Sequence, residues 1–276
     1  MKNTIRLGVV GLGNVAVNNY LPFLSRQENV ELYCCSRDSE KAKVCAERFG
    51  IHACSSLEEL AQLQLDAVFI LTLEPFHYET ACRLLTFSPK RLFIEKPLVA
   101  RNGQADVCEQ DFFDALDLLK RAKRAGTEIA MNFNYRFFDQ MIRLRRIVEE
   151  RKLGVLRQSS WLVHYACWSH CLDLLRWFGG EIAEVSAVGG SCCGTAHLRG
   201  RDLAGAFTTK NGGCGTIVGT AGPAFELPLY RVVLQFERGT ASFSDLDVEL
   251  QLEQAGLPYR ESFTLGANRS RWDQYA

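Results

Sequence analysis

The chain has 276 residues, 47% of them hydrophobic, which is enough for one large or two modest domains with a real core. Its 32 lysines and arginines balance 32 aspartates and glutamates, so no overall field draws nucleic acid or an anionic membrane, and a small-molecule partner is favoured by elimination. No apolar stretch approaches the roughly 20 residues that span a bilayer, which argues against a membrane protein.

In chain order, residues 5–10, "IRLGVV", form a short apolar run that ends at glycines and is entered without signal-peptide architecture. Residues 30–35, 66–73 and 91–95 repeat the pattern. Between them "DSEKAKVCAERFG", "SLEELAQLQ" and "FHYETACRLL" carry apolar residues at three- and four-residue spacing, and "DFFDALDLLKRAKRAG" adds a helix closed by Gly126. Alternating strands and helices predict an α/β fold, a doubly wound parallel sheet with helices on both faces.

After "TEIAMNFNYRF" the texture changes to one more helix, ending near Gly154, and then mostly short strands. "GAFTTKNGGCGTIVGT" reads as a hairpin turning at Asn211-Gly212, and "LYRVVLQFERGTASFSDL" as one turning at Arg238-Gly239. The expected organisation is therefore a parallel-sheet domain over residues 1–133 and an α+β domain with an open, mainly antiparallel sheet over residues 134–276. The eleven cysteines contain no CxxC pair and the chain is too long for a disulfide scaffold, so reduced thiols and a cytoplasmic location are expected.

The first strand runs into "GVVGLGNVAVNNYLP", where Gly11, Gly13 and Ala16 have a GxGxxA spacing. That spacing suits a pyrophosphate: Gly11 permits the tight turn, Gly13 lets backbone approach the phosphates, and Ala16 lets the next helix pack closely with its amides toward them. A merely structural glycine turn is the alternative. The second strand ends at Ser36-Arg37 rather than at a carboxylate, which suits the 2′-phosphate of NADP better than the bare ribose of NAD, with Lys41 as a further cation. The alternative is a solvated Arg37, with Asp38 reaching the ribose of NAD.

"RLFIEKPLVA" delivers Glu95, Lys96 and Pro97 at the carboxyl end of an apolar strand, the edge where doubly wound sheets bind ligands. A lysine there can bond a substrate oxygen and donate a proton as hydride arrives; a solvated lysine at a strand end is the alternative. Further on, "HYACWSHCLDLLRWFGG" sets His170 and Asp173 in an apolar run, on one helical face with Leu174 and Trp177. His164, Cys167, His170 and Cys171 have types that suit zinc, but a strand-to-helix change lies among them and no second pair completes a set, so no metal is expected and the two cysteines read as core.

The glycine loop, "TLEPFHYETA", "IEKPL", "MNFNYRF" and "SHCLDLLRWFGG", in that order, resemble the Gfo/Idh/MocA oxidoreductases over nearly the whole chain. The resemblance implies a Rossmann domain followed by an α/β domain with an open sheet, a sugar, cyclitol or related small-molecule substrate, and a homo-oligomer formed through that sheet. It implies cofactor contacts at Gly11, Gly13, Asn14, Val15, Ala16, Ser36, Arg37, Thr72, His77, Glu95 and Lys96. It further matches Lys96 to the family's catalytic lysine and His170 to its substrate histidine, with Arg136 and Asp173 beside the substrate. One departure stands out: the first position of the family's DxxxHxxD pattern is Ala166, and the glycine-rich loop before it is missing. Without that aspartate, an imine or keto-sugar reductase, or a nucleotide-binding protein that has lost its chemistry, are the other readings. "NRSRWDQYA" stops where the family commonly continues into a helix.

Overall fold

The computed structural model describes residues 4–104, 106–164, 167–193, 201–220, 229–245 and 248–266. The chain divides into two compact units that meet in sequence at Asn132 and Phe133.

The first unit holds a six-stranded sheet of order β3-β2-β1-β4-β5-β6. Its strands are β1 (Ile5–Val10), β2 (Val30–Cys35), β3 (His52–Cys54), β4 (Ala67–Ile70), β5 (Arg91–Ile94) and β6 (Glu128–Met131), all paired in parallel. A π-helical turn, Ala16–Tyr20, leads into α1 (Leu21–Leu24), and with α2 (Ser39–Phe49) it covers one face of the sheet through Ala16, Leu21, Ala42 and Cys45. The helices α3 (Leu57–Gln62), α4 (His77–Leu85) and α5 (Glu109–Ala125) cover the other face through Leu60, Leu84 and Leu118. This is the doubly wound arrangement expected, and the strand order reverses between β1 and β4.

The second unit opens on α6 (Asp139–Glu150) and places α7 (Trp168–Gly179) after the strand β7 (Leu156–His164). The later strands are β8 (Ile182–Cys193), β9 (Arg201–Thr209), β10 (Cys214–Thr220), β11 (Tyr230–Phe236), β12 (Gly239–Ser244), β13 (Glu249–Gln254) and β14 (Arg260–Thr264). They form one sheet of order β14-β13-β12-β11-β7-β10-β9-β8, antiparallel except for the pair β7 and β10. Both helices pack on one face, where Trp161, Val232, Leu234 and Phe243 meet Met141, Leu144, Leu174 and Leu175. The other face carries alternate residues such as Ser160, Leu162, Thr216 and Val233, which are not buried.

Two local readings change. The hairpin between β11 and β12 turns at Glu237-Arg238, because Gly239 already pairs with Phe236. Its lack of a side chain serves β13 instead, since a Cβ at Gly239 would lie 2.9 Å from the Glu253 carbonyl oxygen. The strand expected over 66–73 is confined to Ala67–Ile70, and the residues that follow turn into the ligand edge. Trp161 is among the largest fully buried side chains; Trp161→Ala is expected to destabilise the second unit by about 3–5 kcal/mol, read as a lower urea midpoint in circular dichroism.

Candidate functional site

The glycine loop sits on the end of the neighbouring strand. Gly11 has φ +93°, and a Cβ there would lie 2.6 Å from the Thr72 nitrogen and 2.7 Å from the Leu71 carbonyl carbon, so the position admits glycine alone. Its amide donates to the Cys35 carbonyl at 3.0 Å. Gly13 differs: no atom lies within 4 Å of where its Cβ would be. Gly13, Asn14 and Val15 are exposed while Ala16 is fully buried beneath them. No side chain caps the helical turn that follows, and the Val17 amide donates back to the Gly13 carbonyl at 3.0 Å, so the amides before Val17 are the ones that face the loop. Beside the loop, Thr72 Oγ1 is buried with no hydrogen-bond partner among the described residues. A backbone open to close approach, a helix start and a partnerless buried hydroxyl at the strand-order reversal fit the pyrophosphate of a dinucleotide.

At the end of β2 the chain exposes Arg37, whose guanidinium lies 4.3 Å from the centre of the Phe76 ring. Ser36 Oγ accepts from the Asp38 amide at 3.3 Å. The Asp38 carboxylate caps α2 by accepting from the Lys41 amide at 3.0 Å. Of these three side chains, Asp38 is the one already engaged in holding a helix, and Arg37 stacks with its donors unused by any neighbouring carboxylate among the described contacts.

At the end of β5 a set of backbone-anchored bonds surrounds Lys96. His77 is fully buried, with Nδ1 2.8 Å from the Pro97 carbonyl oxygen and Nε2 3.0 Å from that of Thr72. Neither ring nitrogen is left for a ligand, so His77 bears on the cofactor edge through these two carbonyls, as a brace between the ends of β4 and β5 rather than a contact. Glu95 is engaged as well: it accepts from Tyr20 Oη at 2.7 Å, and Tyr20 Oη accepts from Asn132 Nδ2 at 2.6 Å. Burial and the adjacent Glu95 push the Tyr20 phenol well above its ordinary value, which keeps it a donor. Glu95 is thus an anchor for the loop. Lys96 itself is half-buried and donates to Gln104 Oε1 at 2.9 Å. The segment bearing Gln104 is held to α5 by the Arg101 amide, which donates to Asp111 at 2.8 Å, and by an ion pair between Arg101 and Asp114.

In the second unit, His170 is buried on α7 and stacks on Tyr135, with centroids 4.1 Å apart and planes 9° from parallel. Phe133 meets the same ring edge-on at 5.7 Å. Asp173, three residues on, receives a two-pronged bond from Arg136, Nε to Oδ2 at 2.5 Å and Nη2 to Oδ1 at 2.6 Å. Both were expected beside a substrate; the structure engages each with the other, an arrangement that orients α7 against the turn at Asn134–Phe137. Cys167 and Cys171 lie in the apolar core, where burial, with Cys167 adding to it, pushes the Cys171 thiol well above its ordinary range. Ala166 falls outside the described residues, as does "NRSRWDQYA".

Tyr20, Asn132 and Gln104 were not singled out from the sequence. Only Tyr20 carried a signal there, as an aromatic one helical turn beyond Ala16.

With this geometry in place, comparison with known proteins is decisive for the first unit. The model of the oxidoreductase family with an NAD-binding Rossmann fold, Gfo/Idh/MocA, matches residues 5–133. The first unit matches that family's nucleotide-binding domain. A dTDP-3,4-didehydro-2,6-dideoxy-alpha-D-glucose 3-reductase of Streptomyces violaceoruber is 29% identical over 158 residues, covering 56% of this chain and 43% of the reductase. The chain spans about half the length of curated relatives such as this one. Among solved structures, a dehydrogenase from Chromobacterium violaceum superposes with a TM-score of 0.81 at 17% identity, covering 99% of this chain and 84% of its own. The WlbA dehydrogenase of the same organism, in complex with NADH and UDP-GlcNAcA, reaches 0.78 at 19% identity, covering 93% and 79%. These likenesses show the fold of the chain over both units.

The two glycines separate packing from binding. Gly11→Ala is expected to lower the melting temperature, since a left-handed alanine alone costs about 1–2 kcal/mol before the overlap with Thr72 is counted. Gly13→Ala is expected to melt like the parent and to bind nicotinamide dinucleotide at least about tenfold more weakly. Calorimetry beside isothermal titration reads both. Arg136→Met, which strands the Asp173 charge in a buried site, is expected to cost about 3–5 kcal/mol in urea unfolding.

Proposed function

We propose that the chain is an NADP-dependent oxidoreductase that moves hydride between the nicotinamide and a carbonyl or hydroxyl carbon of a sugar, cyclitol or related small molecule. The observation that carries this reading is the cradle at β1 and β4, an open Gly13 beside the partnerless Thr72 hydroxyl, with Lys96 at the same edge of the same sheet. Gly11, Gly13, Asn14, Val15 and Ala16 would hold the pyrophosphate and Thr72 the adjoining dinucleotide, while Ser36 and Arg37 would take the 2′-phosphate. When bound, the nicotinamide supplies or accepts the hydride. The Lys96 ammonium donates a proton to the substrate oxygen in the reductive direction and takes it back in the oxidative one, with Gln104 fixing its side chain. In the second unit, His170 would bond a substrate oxygen or nitrogen from a ring whose plane Tyr135 sets.

A reductase acting on a keto sugar or an imine is favoured over a dehydrogenase by Ala166, which removes a carboxylate base, and by the engagement of Asp173 with Arg136. NADP is favoured over NAD by the capping role of Asp38 and the exposed Arg37. Nine of the eleven cysteines carry free thiols, and no helix among the described residues is long and apolar enough to cross a membrane, which supports a cytoplasmic site of action. The uncovered face of the second sheet supports a homo-oligomer formed through it.

Paired isotherms for NADPH and NADH test the cofactor: Arg37→Ala is expected to weaken NADPH about 10- to 100-fold, the worth of a charge-assisted phosphate bond, and to leave NADH within about threefold. Equal loss for both would remove the NADP assignment. Lys96→Met is expected to keep NADPH binding and lose at least about a hundredfold in turnover with a keto-sugar substrate; full turnover would return the lysine to a solvated role, and no binding of either nucleotide by the parent chain would end the enzyme reading.

A further inference from the structure

We propose that the outward face of α5 is a self-association surface, which packs antiparallel on α5 of a second copy of this chain about a two-fold axis at Leu116. At 100° per residue, Asp111, Asp114, Leu118 and Ala122 form the buried side of this helix, packed toward the sheet. The opposite side carries Phe112, Phe113, Leu116 and Leu119, which are 61%, 50%, 38% and 46% exposed. Helices over a doubly wound sheet normally turn charge outward, as α2 does with its exposed Glu40–Lys43 ion pair. Four large apolar side chains in that position, with the exposed Lys120 among them and further charge at both ends, form an interaction surface rather than scattered exposed residues.

The charges select the occupant. Glu109 and Lys123 lie on the same outward side, two helical turns before and two after Leu116, and both are exposed. A two-fold axis at Leu116 therefore sets Glu109 of each copy against Lys123 of the other, Phe113 against Leu119, Phe112 against Lys120, whose aliphatic stem can lie along the ring, and Leu116 against itself. A parallel pairing would oppose glutamate to glutamate and lysine to lysine. The face is thus complementary to its own antiparallel image, as an isologous contact requires. One helix pair about 25 Å long buries less than the roughly 1,200 Å² of a stable interface, so the association is reversible and concentration-dependent. It uses a surface distinct from the open sheet of the second unit and adds to any pairing made there.

Sedimentation velocity of the full chain over a concentration series tests this. The expected result is an association step that Leu116→Asp weakens at least about tenfold and that Glu109→Lys or Lys123→Glu each weaken about threefold, as expected for exposed ion pairs. The double variant Glu109→Lys/Lys123→Glu restores the step to the parent level. That restoration is decisive because the swapped charges oppose the dipole of α5, so it cannot come from a better helix. Both charged positions are exposed, so these variants keep the test valid if Leu116→Asp fails to fold. An association that no α5 variant changes, the absence of any association step, or a double variant as weak as the single ones would each overturn the proposal.

Discussion

The seating of Gly11 on the backbone of Leu71 and Thr72 is the contact on which the ligand edge of the first unit depends. Any side chain at that position would push the loop off the end of β4 and open the reversal of strand order that makes the cradle. From there the constraint is passed on by hydrogen bonds. Thr72 gives its carbonyl to His77, His77 reaches the Pro97 carbonyl, and the ends of β4 and β5 are thereby held together. Glu95 ties the same edge back through Tyr20 to the helix that begins at the glycine loop. Lys96 consequently projects from a backbone fixed on both sides, by the bonds of Glu95 and of the Pro97 carbonyl.

The second unit solves a different problem, a large sheet whose helices, among the described residues, lie on one face. Its core is made by the inward alternation of β7, β11 and β12 against α6 and α7. Tyr135 belongs to that core and is also the platform for His170, so the orientation of the imidazole is a by-product of core packing. The Arg136 and Asp173 pair sits at the edge of the same structure, where a buried carboxylate is sustained by a two-pronged guanidinium.

Much of this was legible in the sequence wherever chemistry is local. The GxGxxA spacing, the 3.6-residue periodicity of α2 to α5 and the Asn211-Gly212 turn each state their own geometry within a few residues. Partners distant in the chain were not legible: Tyr20 meets Glu95 across 75 positions and Asn132 across 112, and no local pattern encodes either meeting. The parallel pairing of β7 with β10 was hidden for the same reason, since alternation gives a strand its faces but not its neighbour. β13 and β14 were missed because "ELQLEQ" and "RESFT" mix charge into short alternation, and β3 because three residues carry no period. Arg136 and Asp173 show the limit of reading residues singly: each has the chemistry to face a substrate, and only the fold shows that each bonds the other.

That mutual engagement bears on proton movement in the proposed reaction. Oxidation of a hydroxyl needs a base to take its proton, and in the second unit the Asp173 carboxylate is bound on both oxygens by Arg136. In the first unit, Lys96 at the end of β5 donates to the Gln104 side-chain carbonyl oxygen, a neutral acceptor. Under the proposed function Lys96 is then the group left to move the proton, giving it in reduction and taking it back in oxidation.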